Sequence, residues 1–400
     1  MTAHSISRSD SVWREILIAL GLSTGAAVAL GFSRFAYALL LPAMRADLGW
    51  TYVEAGALNT ANGAGYIVGA LVAARFAHRW GPSRSFLTGF LLSVVVLLLT
   101  ATTASLGSLL VLRTVGGITT AVTFILGAAL AAAICPMQGA QRRGALVGLY
   151  VAGCSLGIVL AGVAIPVILR GGVQRWPTGW IVLGVIGLAG LLPAWSAARL
   201  VFEPIGRSMA MLKADEFRHL APTFIGYGLF GAGYVGYMTF IIALLRNQGG
   251  SDEEMIRFWI VLGLVSAFST LLWGSALGRF QGGRGPSLVF VTAMFGTLPV
   301  LIHPGPAAMF ISAVLFGGSF MAGPTSIAIV AQRQLPVSSW TAAISLLTAG
   351  FALGQALGPI LAGAISDLTG DISTGLWVSP TLLGLGACLN LLQRSAPLSG

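Results

Sequence analysis

Acidic residues are scarce in this chain. Only 12 Asp and Glu occur among 400 residues, and none falls deep inside an apolar stretch. Proton-driven carriers commonly pass protons through a carboxylate within the membrane, so a relay of that kind is disfavoured. Lysine is scarcer still. Lys213 stands alone in Leu212-Lys213-Ala214, which excludes a Walker A loop and ATP hydrolysis through it. The three cysteines, Cys135, Cys154 and Cys388, are scattered without metal spacing or a disulfide framework. The four histidines (His4, His78, His219 and His303) fall in the tail, in loops or at a span end. No metal site or cofactor is expected, and no Gly-x-Ser-x-Gly sits in a soluble domain. Nothing in the chain points to an enzyme. No cleavable leader is evident either, because residues 1–15 are polar and the stretch that follows is long enough to span.

What is abundant is apolar surface: 56% of residues are hydrophobic, 8% are charged, and the mean hydropathy is +0.88. A bilayer core about 30 Å thick takes about 20 apolar residues per helix. Continuous apolar runs of that length suit helices and not the alternation of a barrel. Twelve spans are predicted, near 16–44, 53–74, 84–103, 106–134, 144–169, 178–199, 221–245, 256–277, 286–303, 307–332, 339–365 and 374–393. The expected organisation is a tail 1–15, a six-helix bundle 16–199, a central loop 200–220, a second six-helix bundle 221–393 and a tail 394–400.

Topology follows from the basic residues. With the N-terminus inside, fifteen Lys and Arg lie on the cytoplasmic side and five outside, leaving Arg34 and Arg113 embedded. Both termini and the central loop are therefore expected in the cytoplasm. The formal charge of +10 reflects this bias and not nucleic-acid binding. The two halves also repeat each other. Ala152-Gly153-Cys154-Ser155-Leu156-Gly157 matches Ala349-Gly350-Phe351-Ala352-Leu353-Gly354, Gly116-Gly117 matches Gly317-Gly318, and Gly81-Pro82-Ser83 matches Gly285-Pro286-Ser287, all at offsets of about 200 residues. Small residues four apart let helices approach closely in lipid. Gly153 with Gly157 and Gly162 further along, and Gly350 with Gly354 and Gly358, form such ridges. They are either static packing or a sliding surface between the halves.

Twelve spans in a 6+6 repeat resemble the major facilitator superfamily. Its loop after span 2 reads Gly-x-x-x-Asp-Arg-x-Gly followed by basic residues. Here Arg79, Gly81 and Arg84 fit, while Ala74 and His78 replace the Gly and the Asp. The second copy keeps Gly274 and Arg279 but has Gly278 at the Asp position. In the family this loop supports a charge-based gate, so these residues are expected to govern conformation through another partner. Arg113-x-x-x-Gly117 is similar to the span-4 motif. A narrower resemblance is to the YbfB/YjiJ-type branch. It is carried by Gly31-Phe32-Ser33-Arg34-Phe35-Ala36-Tyr37, Leu41-Pro42-Ala43-Met44, Asn59-x-x-Asn62-x-x-Gly65-Tyr66, Tyr227-Gly228-x-Phe230-Gly231 and Gly354-Gln355-x-x-Gly358-Pro359.

The resemblance implies a cavity lined by spans 1, 4, 7 and 10. Arg34 lies eight residues before Pro42, the expected outer end of span 1, which is about 12 Å of helix. Arg113 is expected at a similar depth. Two guanidiniums there make an anion clamp, since each offers planar, bidentate donors and stays charged. Either could instead bond backbone carbonyls. The repeat sets Tyr234 opposite Arg34, so charge belongs to one half and aromatic surface to the other. Tyr37, Asn59, Asn62, Tyr66, Tyr227, Tyr234, Tyr237, Phe316 and Gln355 complete the candidate site, although the amides could simply join helices. Trp50, Trp176, Trp180, Trp259, Trp340 and Trp377 read as an interfacial belt.

The expected function is secondary transport of a small organic solute by a monomer in the bilayer, most directly an organic anion or carboxylate. It would move with a proton, by exchange for another anion, or alone. A polyspecific exporter of neutral or amphipathic compounds is the alternative, and a transport-dead sensor a third.

Overall fold

The computed structural model describes residues 8–135, 140–201, 214–336 and 339–394. Residues 1–7 of the expected N-terminal tail, residues 202–213 of the expected central loop, Lys213 among them, and residues 395–400 lie outside that set. Among the described residues every regular element is helical. Helix α1 comprises Arg8–Ala26, a π-helical segment Ala27–Phe35, and Tyr37–Leu48. Then follow α2 (Tyr52–Trp80), α3 (Pro82–Thr100), α4 (Leu106–Ala133), α5 (Ala140–Leu169) and α6 (Trp176–Ala198). The second half holds α7 (Ala214–Asn247), α8 (Asp252–Leu277), α9 (Arg284–Ile302), α10 (Pro306–Phe320 and Ala322–Gln334), α11 (Trp340–Thr369) and α12 (Ile372–Leu376 and Val378–Leu391). Ten of these spans are long and apolar enough to cross a membrane. Helices α2, with 29 residues, and α8, with 26, complete the twelve by length.

Local chemistry sets the boundaries. Thr51 caps α2 and Ser251 caps α8, each in a reciprocal box with a glutamate three residues on. Gly81 turns the chain between α2 and α3 at φ +85°, a left-handed value that disfavours any side chain. Helix α7 begins at Ala214, inside the stretch expected as a linker, with Asp215 and Glu216 in its first turn, where acids favour a helix start. Pro42 does not end α1, which continues to Leu48. In a packed bundle, neighbouring helices re-satisfy the backbone groups a proline frees. Arg34 therefore stands about 20 Å from the end of its helix, deeper than the sequence suggested.

The glycine ridges lie inside the halves. A Cβ at Gly153 would meet Ser23 O at 2.1 Å, and one at Gly157 would meet Ala27 O at 2.6 Å, so α5 lies directly on α1. Gly354 and Gly358 likewise bring α11 onto Gly228 O and Ala232 O of α7. Gly350 packs on Phe224 of the same half. These five glycines pack within their own halves, whereas Gly162, further along the first ridge, meets Trp259 of the other half. The tryptophan belt also needs correction. Trp180 and Trp259 are sealed in the interior, and Trp50 and Trp176 are buried, whereas Trp377 is exposed. Trp259 packs across the two halves against Gly162.

The halves meet along α2–α11, α5–α8 and α1–α7. The ties run from the middle of the bundle to the face bearing the 49–51, 248–251 and 370–371 turns. Thr60 Oγ1 donates to Ala356 O at 2.5 Å, Asn59 Nδ2 to Thr239 Oγ1 at 2.6 Å, and Ser155 Oγ lies 2.8 Å from Ser266 Oγ. At the opposite, terminal face, bonds among the described residues include several within one half. Examples are Arg142 to Glu15, Ser83 to Ala198 O, and His219 to Gln334. The bundle is thus sealed at the far face.

Candidate functional site

The π-helical segment of α1 carries Gly31, Ser33 and Arg34. π-Helix is rare and often marks functional sites. Here it coincides with the contact of Gly31 with Gly157 of α5. Arg34 is 4% exposed, and its Nε and Nη2 are buried without a hydrogen-bond partner. Its guanidinium carbon stands 5.7 Å from the centre of the Tyr66 ring. Tyr66 occupies the middle of α2 and is only partly buried. Tyr66 and Tyr234, from opposite halves, both lie within electrostatic reach of Arg34.

Arg113 is 3% exposed but is fully engaged. It donates to Ser33 O, to Leu58 O at 3.4 Å and to Asn59 Oδ1 at 3.3 Å. The rings of Tyr37 and Trp180 flank it at 4.9 and 5.8 Å. Its own carbonyl accepts from Asn62 Nδ2 at 3.2 Å. Arg113 therefore clasps α1 and α2 to α4. Tyr37 is held too, its hydroxyl donating to Ala55 O at 2.7 Å. Asn59 bridges Arg113 to Thr239 of the other half.

The second half faces Arg34 with aromatic surface. Gln355 Nε2 donates to the Tyr234 hydroxyl at 2.6 Å. Tyr234 stacks on Phe351 at 5.7 Å and on Phe320 at 5.9 Å, and Phe320 meets Phe35 of α1 edge-on at 5.8 Å. Tyr227, Tyr237 and Phe316 sit deeper in that half. Tyr227 stacks on Phe351 at 4.4 Å, while Tyr237 bonds Ser312 and packs on Phe316 at 4.6 Å. The structure thus gathers Arg34, Tyr66, Tyr234 and Gln355 at the centre. Arg113, Tyr37, Asn59 and Asn62 form a supporting layer beside them.

Phe320, Trp180, Thr239 and the π segment were missed from sequence. Phe320 was available as the i+4 neighbour of Phe316, whereas nothing in residue type marks a π turn. Arg79, Arg84 and Arg279 are exposed at the terminal face. No described Asp or Glu lies near the middle of a helix, and no group of three metal-ligating side chains occurs among the described residues.

Comparison with known proteins agrees with this architecture. Residues 26–391 match the family described as "Uncharacterised MFS-type transporter YbfB". A chloramphenicol resistance protein of Streptomyces lividans is 28% identical over 378 residues, covering 90% of this chain and 92% of that protein. The multidrug resistance protein MdtG of Proteus mirabilis (strain HI4320) is 27% identical over 164 residues, covering 38% of this chain and 39% of that protein. Among solved structures, a bacterial homologue of the human lysosomal transporter Spinster, inward-facing and unoccupied, superposes with TM-score 0.72 at 17% identity. It covers 98% of this chain and 100% of that one. A D-xylose–proton symporter gives TM-score 0.71 at 17% identity, covering 98% of each chain. These two likenesses establish the fold alone. The chain is a multi-pass membrane transporter, not an enzyme, and it belongs to the YbfB-type branch of the major facilitator superfamily.

Proposed function

We propose that this transporter carries a small organic solute bearing an anionic or strongly hydrogen-bond-accepting head, and that Arg34 holds that head. The observation that carries the reading is the Arg34 guanidinium, buried at the junction of the halves with Nε and Nη2 unpartnered. A buried cation without partners is costly, and a bound carboxylate would supply both charge and acceptors. Tyr66 and the Tyr234–Gln355 pair flank the head, and the Tyr234, Phe320 and Phe351 rings take the apolar body. With the terminal face in the cytoplasm, as the arginine bias implies, the face tied by α2–α11 is the outer one. The solute then moves as a protonated weak acid, in exchange for another anion, or alone, through a monomer of the inner membrane.

A second reading, export of neutral amphipathic compounds, is favoured by the two resistance proteins among the relatives. A thermal-shift panel of carboxylates, organic cations and chloramphenicol on wild type and Arg34→Gln separates the two. A ligand that binds only the folded state raises its apparent stability by mass action. Stabilisation by carboxylates that disappears in Arg34→Gln supports the first reading. Stabilisation by chloramphenicol that survives the substitution supports the second and overturns the first.

A further inference from the structure

One carboxylate joins the two halves at the far face. Asp367, near the end of α11, accepts from the backbone N–H groups of Tyr52 at 2.8 Å and Val53 at 2.7 Å, one bond to each oxygen. Those are the first two residues of α2, in the other half. The first N–H groups of a helix have no partner within it, and the helix dipole favours negative charge there. The third, that of Glu54, is taken by Thr51 of the same loop. One half thus completes the helix start of the other.

Tyr52 draws further ties to the same point. Its hydroxyl accepts from Asn247 Nδ2 at 3.3 Å, its ring packs edge-on against Phe240 at 5.9 Å, and the Arg45 guanidinium lies over it at 3.7 Å. Backbones touch beside it, since a Cβ at Gly363 would meet Tyr52 O at 2.6 Å. The other junction, α5–α8, has no carboxylate counterpart, because Arg170 follows α5 where Asp367 stands in α11.

We infer that Asp367 is the latch of the far gate, and that opening toward that side requires its two bonds to part. The bonds exist only while α2 and α11 touch, so they favour the far-closed state and do nothing for the far-open one. A ligand, or here a side chain, shifts a two-state equilibrium only through such a difference. A charge-assisted pair at a solvent-exposed helix start corresponds to about a tenfold bias. The latch is independent of what Arg34 binds.

The test uses the full chain in lipid nanodiscs with spin labels at Ala104→Cys and His303→Cys, exposed positions in far-face turns of opposite halves. The exposed native thiol is removed by Cys388→Ser, while Cys135 and Cys154 are buried. In Asp367→Ala the pulsed-resonance distance distribution should gain a longer population, its ratio to the short one rising about tenfold. Asp367→Asn, which keeps one acceptor, should move the same way by less, and it serves if the alanine variant does not fold. Asp371→Ala, an acid in the neighbouring turn, should leave the distribution unchanged. An unchanged distribution in folded Asp367→Asn or Asp367→Ala overturns the latch, as does an equal shift from Asp371→Ala.

Discussion

Replacing each buried arginine by methionine, which keeps an unbranched side chain but removes charge and donors, should give opposite results at the two sites. Arg113 makes a short bond to Ser33 O and two long ones, to Leu58 O and Asn59 Oδ1. Hydrogen bonds from charged groups contribute about 1.5–3 kcal/mol net, and bonds near 3.4 Å contribute much less. Arg113→Met should therefore cost about 2–4 kcal/mol after the cation's own desolvation is relieved. Arg34 Nε and Nη2 make no hydrogen bond, so the contact Arg34→Met chiefly loses is that with the Tyr66 ring. Cation–π attraction is about 0.5–2 kcal/mol, and removing an uncompensated buried charge returns at least as much. Arg34→Met should be as stable as wild type or more so. Thermal unfolding in detergent without added solute, checked by the loss of monodisperse protein on heating, reads both. An Arg34→Met variant that loses as much stability as Arg113→Met would show that Arg34 is structural, and the proposed ligand site would fall with it.

Gly354→Val should cost at least 1–3 kcal/mol and lower the yield of folded protein, because the new Cβ would stand 1.8 Å from Gly228 O with no flexible neighbour to yield. Gly144→Ala, where a Cβ meets nothing within 4 Å, is the matched control. The Ser373 N–H holds the Asp371 carboxyl below the usual carboxylate range, aided by Thr374. A lowered folded-state value stabilises above the ordinary carboxylate pKa and is lost as pH falls through the lowered one. Hydrogen exchange across residues 372–376 should therefore quicken, relative to its intrinsic rate, in acid in the wild type. In Asp371→Ala, which removes the acceptor, it should already be fast and show no such step; the same step in both would exclude the cap. Solute flux into proteoliposomes should respond to a pH gradient or to a trapped anion and not to sodium, and sodium-driven accumulation would refute the transport mode proposed.

The helical, membrane-spanning architecture was legible because each span must be about 20 apolar residues long, a constraint that composition alone exposes. That Arg34 and Arg113 stand inside the bundle was legible for the same reason. Their division of labour was not, since it depends on which carbonyls a helix presents. Ser33 O and Leu58 O face Arg113 because the π segment and the Asn59–Thr239 tie place them there. The glycine ridges showed close approach but not the partner, because four-residue spacing is the same on every face. The tryptophans misled likewise, since a residue near a span end by number can point inward, as Trp180 does onto Tyr37 at 6.5 Å. Asp367 looked like an ordinary loop acid, and only folding brings it to a helix start more than 300 residues away.

Among the described residues no acid pairs with Arg34, and this has an electrical consequence. In a bundle that opens to one side at a time, the membrane potential falls across whichever face is sealed. A fixed cation at the centre then senses the bulk phase its cavity opens to, and it crosses the field electrically without moving along the membrane normal. One elementary charge corresponds to about 2.3 kcal/mol per 100 mV. With the terminal face in the cytoplasm, a negative interior would hold the empty carrier open inward. A monoanion paired with Arg34 would cancel that bias, making the loaded transition insensitive to voltage and the empty return voltage-dependent.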